Sequence, residues 1–264
     1  MLQMVAAAWR FRQFVLSSVV SEFAGRFARS RLGALWMILN PLVQALTLAF
    51  VLSAILAARL PGIESRYGFA LYLMAGTLAW SLFQETVNRC LSVFIDNGNL
   101  LKKLTFPRIC LPLVVAGVAL ISHLLLALAV LASYLLLGHW PGWSLVWLPV
   151  LSLMTLALAL GLGLALGVIN VFIRDLGQVV PIVLQFGFWL SPIVYLPQMV
   201  PPEFRGLLAI NPMFPLVDAF QQVLVYGKSP HWGGLVWVAV LTLGLLSFAL
   251  LLFRRAGADM VDQL

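Results

Sequence analysis

Glu85 and Arg89 stand four residues apart in an otherwise apolar run, with Gln84 and Asn88 beside them. On a helix this spacing puts the acid one turn before the base, so the pair partly offsets the cost of holding either charge in hydrocarbon. Glu85 is the one acidic residue well inside a hydrophobic stretch, and an ionisable group at that depth faces a cavity or a partner. A proton relay needs a chain of titratable groups, and His123 is the only other obvious member, so proton coupling has little to run on. Cys90 and Cys110 lie apart from each other and from any histidine pair, which supports buried small hydrophobes rather than a metal site or a disulfide framework. Gly227, Lys228 and Ser229 imitate the end of a phosphate-binding loop, but the first glycine of that motif would fall on Gln222. With no nucleotide motif, no paired carboxylates and no nucleophile beside a base, the residues do not point to catalysis by this chain.

These few polar residues must be carried by an unusually apolar chain. Of 264 residues, 62% are hydrophobic and only 9% charged, and the mean hydropathy is +1.04. Apolar runs of about 20 residues without alternation indicate an all-α integral membrane protein rather than a transmembrane barrel. The net charge of +7 invites a nucleic-acid reading. The basic residues, however, flank the apolar runs, where they set membrane orientation, so no nucleic-acid partner is expected. Arg10 and Arg12 follow the first apolar residues, an order unlike that of a removable signal peptide.

Hydropathy places six transmembrane helices near 36–58, 69–90, 109–137, 145–172, 178–196 and 235–253. With the N-terminus inside, eleven of the sixteen Lys and Arg residues fall on the cytoplasmic side and four outside, which puts both termini in the cytoplasm. No internal repeat or linker divides the chain, so 1–264 reads as a single domain. Ahead of the first span, Val15, Leu16, Val19, Val20, Phe23 and Phe27 share one helical side while Ser18, Glu22, Arg26 and Arg29 share the other. That pattern predicts an amphipathic helix over 9–31 lying along the cytoplasmic leaflet, with Glu22 one turn before Arg26.

Two further stretches are patterned. Segment 96–107 is too polar to span, and Asn97 or Asn99 can cap a short helix carrying Leu100, Leu101 and Leu104 that Pro107 ends. Such a helix suits docking into a groove of a cytoplasmic partner, or contact with the leaflet through its leucines and lysines. Phe186–Gly227 is greasy enough to enter a bilayer, yet six prolines break it, at 192, 197, 201, 202, 212 and 215. Broken backbone at membrane depth must be shielded by protein or line a watery cavity, so short helices over 198–226 are expected to dip into the outer leaflet and return. Trp140 and Trp143 fall where an interfacial aromatic belt would sit. Gly163 and Gly167 form a small-xxx-small pair, suited to close helix packing within the chain or between subunits.

Taken in order, the motifs LGALWMILNP (32–41), LLKKLTFPRICLP (100–112), LSPIVY (190–195) and INPMFPLVDAFQQVLVYG (210–227) resemble the permease subunit of type-2 ABC exporters, most nearly the branch that moves polysaccharide such as O-antigen. The resemblance covers nearly the whole chain. It implies a homodimer of six-helix permeases joined to two copies of an ATPase subunit, which would hold the ATP and Mg, so that this chain binds no cofactor. It places the chain in the bacterial inner membrane and makes a lipid-linked polysaccharide the cargo, with membrane lipid around it. It implies that Asn99, Leu100, Leu101, Lys102, Lys103, Leu104 and Phe106 couple to the ATPase. The pathway would run between protomers, with Trp36, Asn40, Gln44 and Phe50 from the first span and Phe188, Trp189 and Tyr195 from the fifth as candidates, joined by Glu85. Aromatic side chains suit such a path because pyranose C–H faces slide over them without tight, specific capture. A drug exporter of the same class, or an ion-coupled secondary transporter with broken helices, would share several of these features.

Overall fold

The computed structural model describes residues 9–27, 35–50, 67–103, 107–256 and 259–263. Among them all regular structure is helical, with no strand. The order is α1 (Arg12–Phe27), α2 (Leu35–Phe50), α3 (Gly68–Asp96), α4 (Gly98–Lys103), α5 (Cys110–Leu136), α6 (Leu148–Phe172), α7 (Leu176–Leu190), α8 (Arg205–Ile210), α9 (Met213–Leu224), α10 (Trp232–Ala256) and α11 (Asp259–Gln263). Short 3-10 turns at Gly142–Trp147, Pro197–Met199 and Pro202–Phe204 fill the joints.

The bundle is built around α3. This helix of 29 residues is buried along most of its length and packs on α2, α5, α6, α7 and α9. At 1.5 Å per residue it is about 44 Å long, more than the ~30 Å of a hydrocarbon core. Among the described residues, three helical stretches are both long and apolar enough to cross a membrane: Cys110–Leu136, Gly142–Phe172 and Trp232–Ala256. Their outer faces carry exposed apolar rows, such as Val236, Val240 and Leu243 on α10, which suits lipid and not water.

The glycines of α6 show why its packing is tight. A Cβ on Gly163 would lie 2.8 Å from Cβ of Cys90, and one on Gly167 would overlap the carbonyl oxygen of Cys90 itself, so α3 crosses α6 at backbone contact. On another side, Gly161 lies against the Leu245–Leu246 backbone of α10. The stripe serves packing within the chain. Cys90 and Cys110 are free and buried, as small hydrophobes are.

The helix predicted to run from 178 to 196 ends at Leu190 instead. Pro192 disfavours helical backbone at the residue before it, and Ser191 takes extended angles of φ −90° and ψ 142°. The first predicted span is seen as far as Phe50, and 51–58 lies outside the described residues. Beyond Ser191 come the two 3-10 turns and then α8 and α9; the stretch Pro202–Ile210 meets Met213–Leu224 at a bend of 96°. The carbonyl of Pro192, freed by the break, accepts from Nε2 of Gln221 at 3.1 Å and from the hydroxyl of Tyr72 at 3.2 Å. Asn211 donates through Nδ2 to Ser191 Oγ at 2.9 Å, while its Oδ1 accepts the Met213 N–H at 2.9 Å. Buried side chains therefore take the place of the missing helical bonds.

Candidate functional site

Ser81, Gln84, Glu85 and Asn88 recur at helical spacing on α3, and they are the partly exposed positions in a stretch where Leu82, Phe83, Thr86 and Val87 are buried. They open onto a cavity of about 370 Å³. From α2 the same cavity receives Trp36, Asn40 and Gln44, which follow one another every four residues and so share a face; from α5 it receives Ser122, His123 and Leu126. An acid, four side-chain amides, two hydroxyls, an imidazole and an indole thus meet in one cleft of an apolar bundle.

Several of these polar groups are held by named partners. Ser122 donates to Glu85 at 3.3 Å or to the Val118 carbonyl at 3.0 Å. Trp80 Nε1 donates to Gln84 Oε1 at 3.1 Å. His123 Nε2 lies 2.8 Å from Ser152 Oγ, across the α5–α6 contact. Glu85 also lies 3.8 Å from Arg89, the i,i+4 pair read from the sequence.

Arg89 has a second partner that the sequence did not disclose. Its guanidinium forms an ion pair with Glu22 of α1, so α1 is tied to α3 through charge and to α5 through Val19, which packs on Val114 and Val118. Glu22 and Arg89 line a cavity of about 700 Å³ under α1, together with Ser17, Ser21, Ser92 and Asp96. Glu85, Arg89 and Glu22 form a charged series leading from the upper cleft to the lower one.

The remaining anticipated residues are dispersed. Phe188 is buried in the main core with its ring 6.0 Å from that of Trp80. Trp189, edge-on to Phe188 at 5.6 Å, is 53% exposed. Tyr195 follows the end of α7 and donates back to the Leu190 carbonyl at 3.0 Å. Phe50 is exposed at the end of α2. Exposed apolar residues Val179, Ile182, Val183, Phe186 and Trp189 continue as a stripe along α7.

At the other end, α4 is a six-residue helix in which Asn99 and Lys102 are exposed, Leu100 is half-buried and Leu101 is buried. Leu101 shares a core with Phe94, Phe253 and Met260, so α4 rests on α3 and on the C-terminal α11. Lys103 closes the helix, while Leu104 and Phe106 lie outside the described residues. Asn97 does not offer its side-chain oxygen as a cap; its Nδ2 donates to the Val93 carbonyl at 2.9 Å and closes α3. Lys228 is exposed beside Gln222 and no phosphate cradle surrounds it among the described residues.

An amphipathic helix, a short polar helix between long apolar ones and a broken hairpin before α10 follow one another along the chain. Residues 13–225 fit the model of the ABC-2 type transporter. The chain belongs to this family. It is similar to the O-antigen export system permease protein of Myxococcus xanthus, with 28% identity over 266 residues covering all of both chains. A protein of the same description from Klebsiella pneumoniae is 27% identical over 207 residues, 76% of each chain. The polysialic acid transport protein of Escherichia coli is 25% identical over 255 residues, covering 92% of this chain and 93% of its own. This ABC-2 chain is therefore a membrane permease related at modest identity to O-antigen export and polysialic acid transport proteins.

Within the family frame, Ser81, Ser122 and the Glu22–Arg89 pair are what the sequence reading missed. Ser81 lies one turn before Glu85 and could have been found by extending the polar row backward. The Glu22 contact had no such local signal, because 67 positions of chain separate its partners.

Proposed function

We propose that this chain is the channel-forming permease subunit of an ATP-driven exporter that carries a lipid-linked polysaccharide of O-antigen type across the bacterial inner membrane. The carrying observation is the match to an O-antigen export permease over the whole of both chains. In this reading six helices span the bilayer, formed by the segments beginning with α2, α3, α5, α6, α7 and α10, and both termini face the cytoplasm. The hairpin of α8 and α9 dips into the outer leaflet, shielded by the Tyr72 and Gln221 contacts described above.

Two copies of the chain assemble with two ATPase subunits, which bind ATP and Mg. The docking element is the 96–107 loop with α4 at its centre. Its buried Leu101 anchors the helix to this chain, and its exposed Asn99 and Lys102 face the ATPase. Closure of the ATPase pair then moves α4 together with α11 and α1, and the exposed stripes of α2 and α7 form walls of a route between protomers.

Deletion of the gene in its host tests the cargo. Loss of surface glycan with accumulation of lipid-linked glycan inside, restored by the wild-type gene, is the expected result. Unchanged surface glycan together with new sensitivity to small toxic compounds would instead make the cargo a drug-like molecule.

A further inference from the structure

We infer that the cleft between α2, α3 and α5 is a saccharide-binding site within each protomer, in which His123 and Asn88 accept hydrogen bonds from sugar hydroxyls and Trp36 covers an apolar sugar face. The inference deepens the export reading and rests on it. Its first support is the hydrogen-bond state of His123. Ser152 Oγ donates to the Leu148 carbonyl at 2.8 Å, which leaves its oxygen to accept from His123 Nε2–H. Nδ1 is then an unprotonated acceptor, and it is buried without a protein partner on a residue that is 3% exposed and lines the cleft.

A second acceptor stands in the same state. Asn88 Oδ1 is also buried without a partner and also belongs to the cleft wall. Buried polar atoms of this kind are ordinarily satisfied, so two such atoms on residues that line one cleft call for a ligand or solvent that donates to them. The lining also contains donors. Gln84 spends its oxygen on Trp80, leaving the amide NH2 as its remaining polar group.

That mixture selects among ligands. A metal ion wants acceptors alone, and no cluster of three or more His, Cys, Asp or Glu side chains suited to a metal exists among the described residues. A polyol hydroxyl both donates and accepts, matching imidazole Nδ1, carboxamide oxygen and carboxamide NH2 together. The indole of Trp36, half exposed at the wall, adds the flat apolar surface that a pyranose C–H face can lie on. At about 370 Å³ the cleft is within the range of small-molecule sites and has room for about one sugar ring or two.

The test uses the full chain in its native host, with the glycan labelled by growth on tritiated monosaccharide. A diazirine-bearing amino acid replaces Gln84 in one strain, Trp189 on the exposed stripe of α7 in a second and Leu243 on the outer face of α10 in a third. Tritiated saccharide crosslinked at positions 84 and 189 above the level at 243 is expected. Asn88→Leu and, separately, His123→Leu then lower the yield at 84 by about tenfold while the yield at 189 persists. Crosslinking at 189 with none at 84 overturns the cleft site and leaves the export reading standing. Saccharide at neither position overturns both, and an unchanged yield at 84 in both variants shows that solvent alone fills the two acceptors.

Discussion

Gln221 of α9 donates to the carbonyl of Pro192 at 3.1 Å, across 29 residues of chain. The bond joins the end of α7 to the hairpin that follows it, and Gly76 of α3 allows the approach: a Cβ there would lie 3.1 Å from Gln221 Nε2 and 3.0 Å from Ile193 Cγ2. Replacing Gln221 by Leu leaves Pro192 with Tyr72 as its remaining donor. A loss of ~1 kcal/mol is expected from the missing bond. Combination with Tyr72→Phe should exceed the sum of the single changes, because only then does the carbonyl lose both donors. Thermal unfolding of the purified protein in detergent measures this, and strict additivity would count against a shared acceptor.

The ion pair of Glu22 and Arg89 predicts an asymmetry. Glu22→Gln removes a carboxylate that is 41% exposed, so its effect should be small, within ~1 kcal/mol. Arg89→Leu also takes the guanidinium from beside Glu85, a carboxylate inside the bundle, and should be distinctly more harmful. A cysteine introduced at Ser18 reports on whether α1 has lifted from the bundle, through its rate of reaction with a polar thiol reagent. Faster labelling in the Arg89 variant than in the Glu22 variant is expected, and equal rates in both would break the argument.

How far the sequence could be read depended on the range of the interaction. Helix positions followed from hydropathy and from local rules, and Glu85 with Arg89 was visible because four residues make one turn. The stop of α7 at Leu190 was legible in principle, since Pro192 acts on its immediate neighbour, but the apolar run through Leu196 masked it. Trp36, Asn40 and Gln44 came from resemblance and converge with Glu85 in one cleft. Phe188 shows the limit: an aromatic on an apolar helix can face a partner or a core with the same local pattern, and its contact with Trp80 is what places it inside. Leu101 is a similar case, because only the return of Phe253 and Met260 to α4 reveals which side of that short helix is inward.

The crossing of α3 and α6 makes glycine substitution position-dependent. Gly167→Ala drives a methyl into the Cys90 carbonyl, a backbone atom that can retreat only if the helices separate, and ~1–3 kcal/mol of destabilisation is expected. Gly244→Ala on α10 meets nothing within 4 Å and removes a helix-weakening residue, so it should be neutral or stabilising by up to ~1 kcal/mol. Parallel melting curves settle the comparison. Comparable losses at the two sites would mean that glycine is needed for some reason other than close approach.

The division of α4 into an anchored and an exposed side separates two effects that an indiscriminate substitution would merge. Leu101→Asp buries a carboxylate among Phe94, Phe253 and Met260, so folding and membrane yield should fall before docking can be judged. Lys102→Glu reverses an exposed charge and leaves that core untouched. If α4 is the docking element, the Lys102 variant should accumulate normally in the membrane and melt like the wild type, yet retain less ATPase subunit on affinity purification and export less glycan. The deficit should widen as salt is lowered if the ATPase presents acidic residues to Lys102, since repulsion between exposed like charges is screened at high ionic strength. Full retention of the ATPase with the Lys102 variant and with Asn99→Arg would move the docking surface away from this helix.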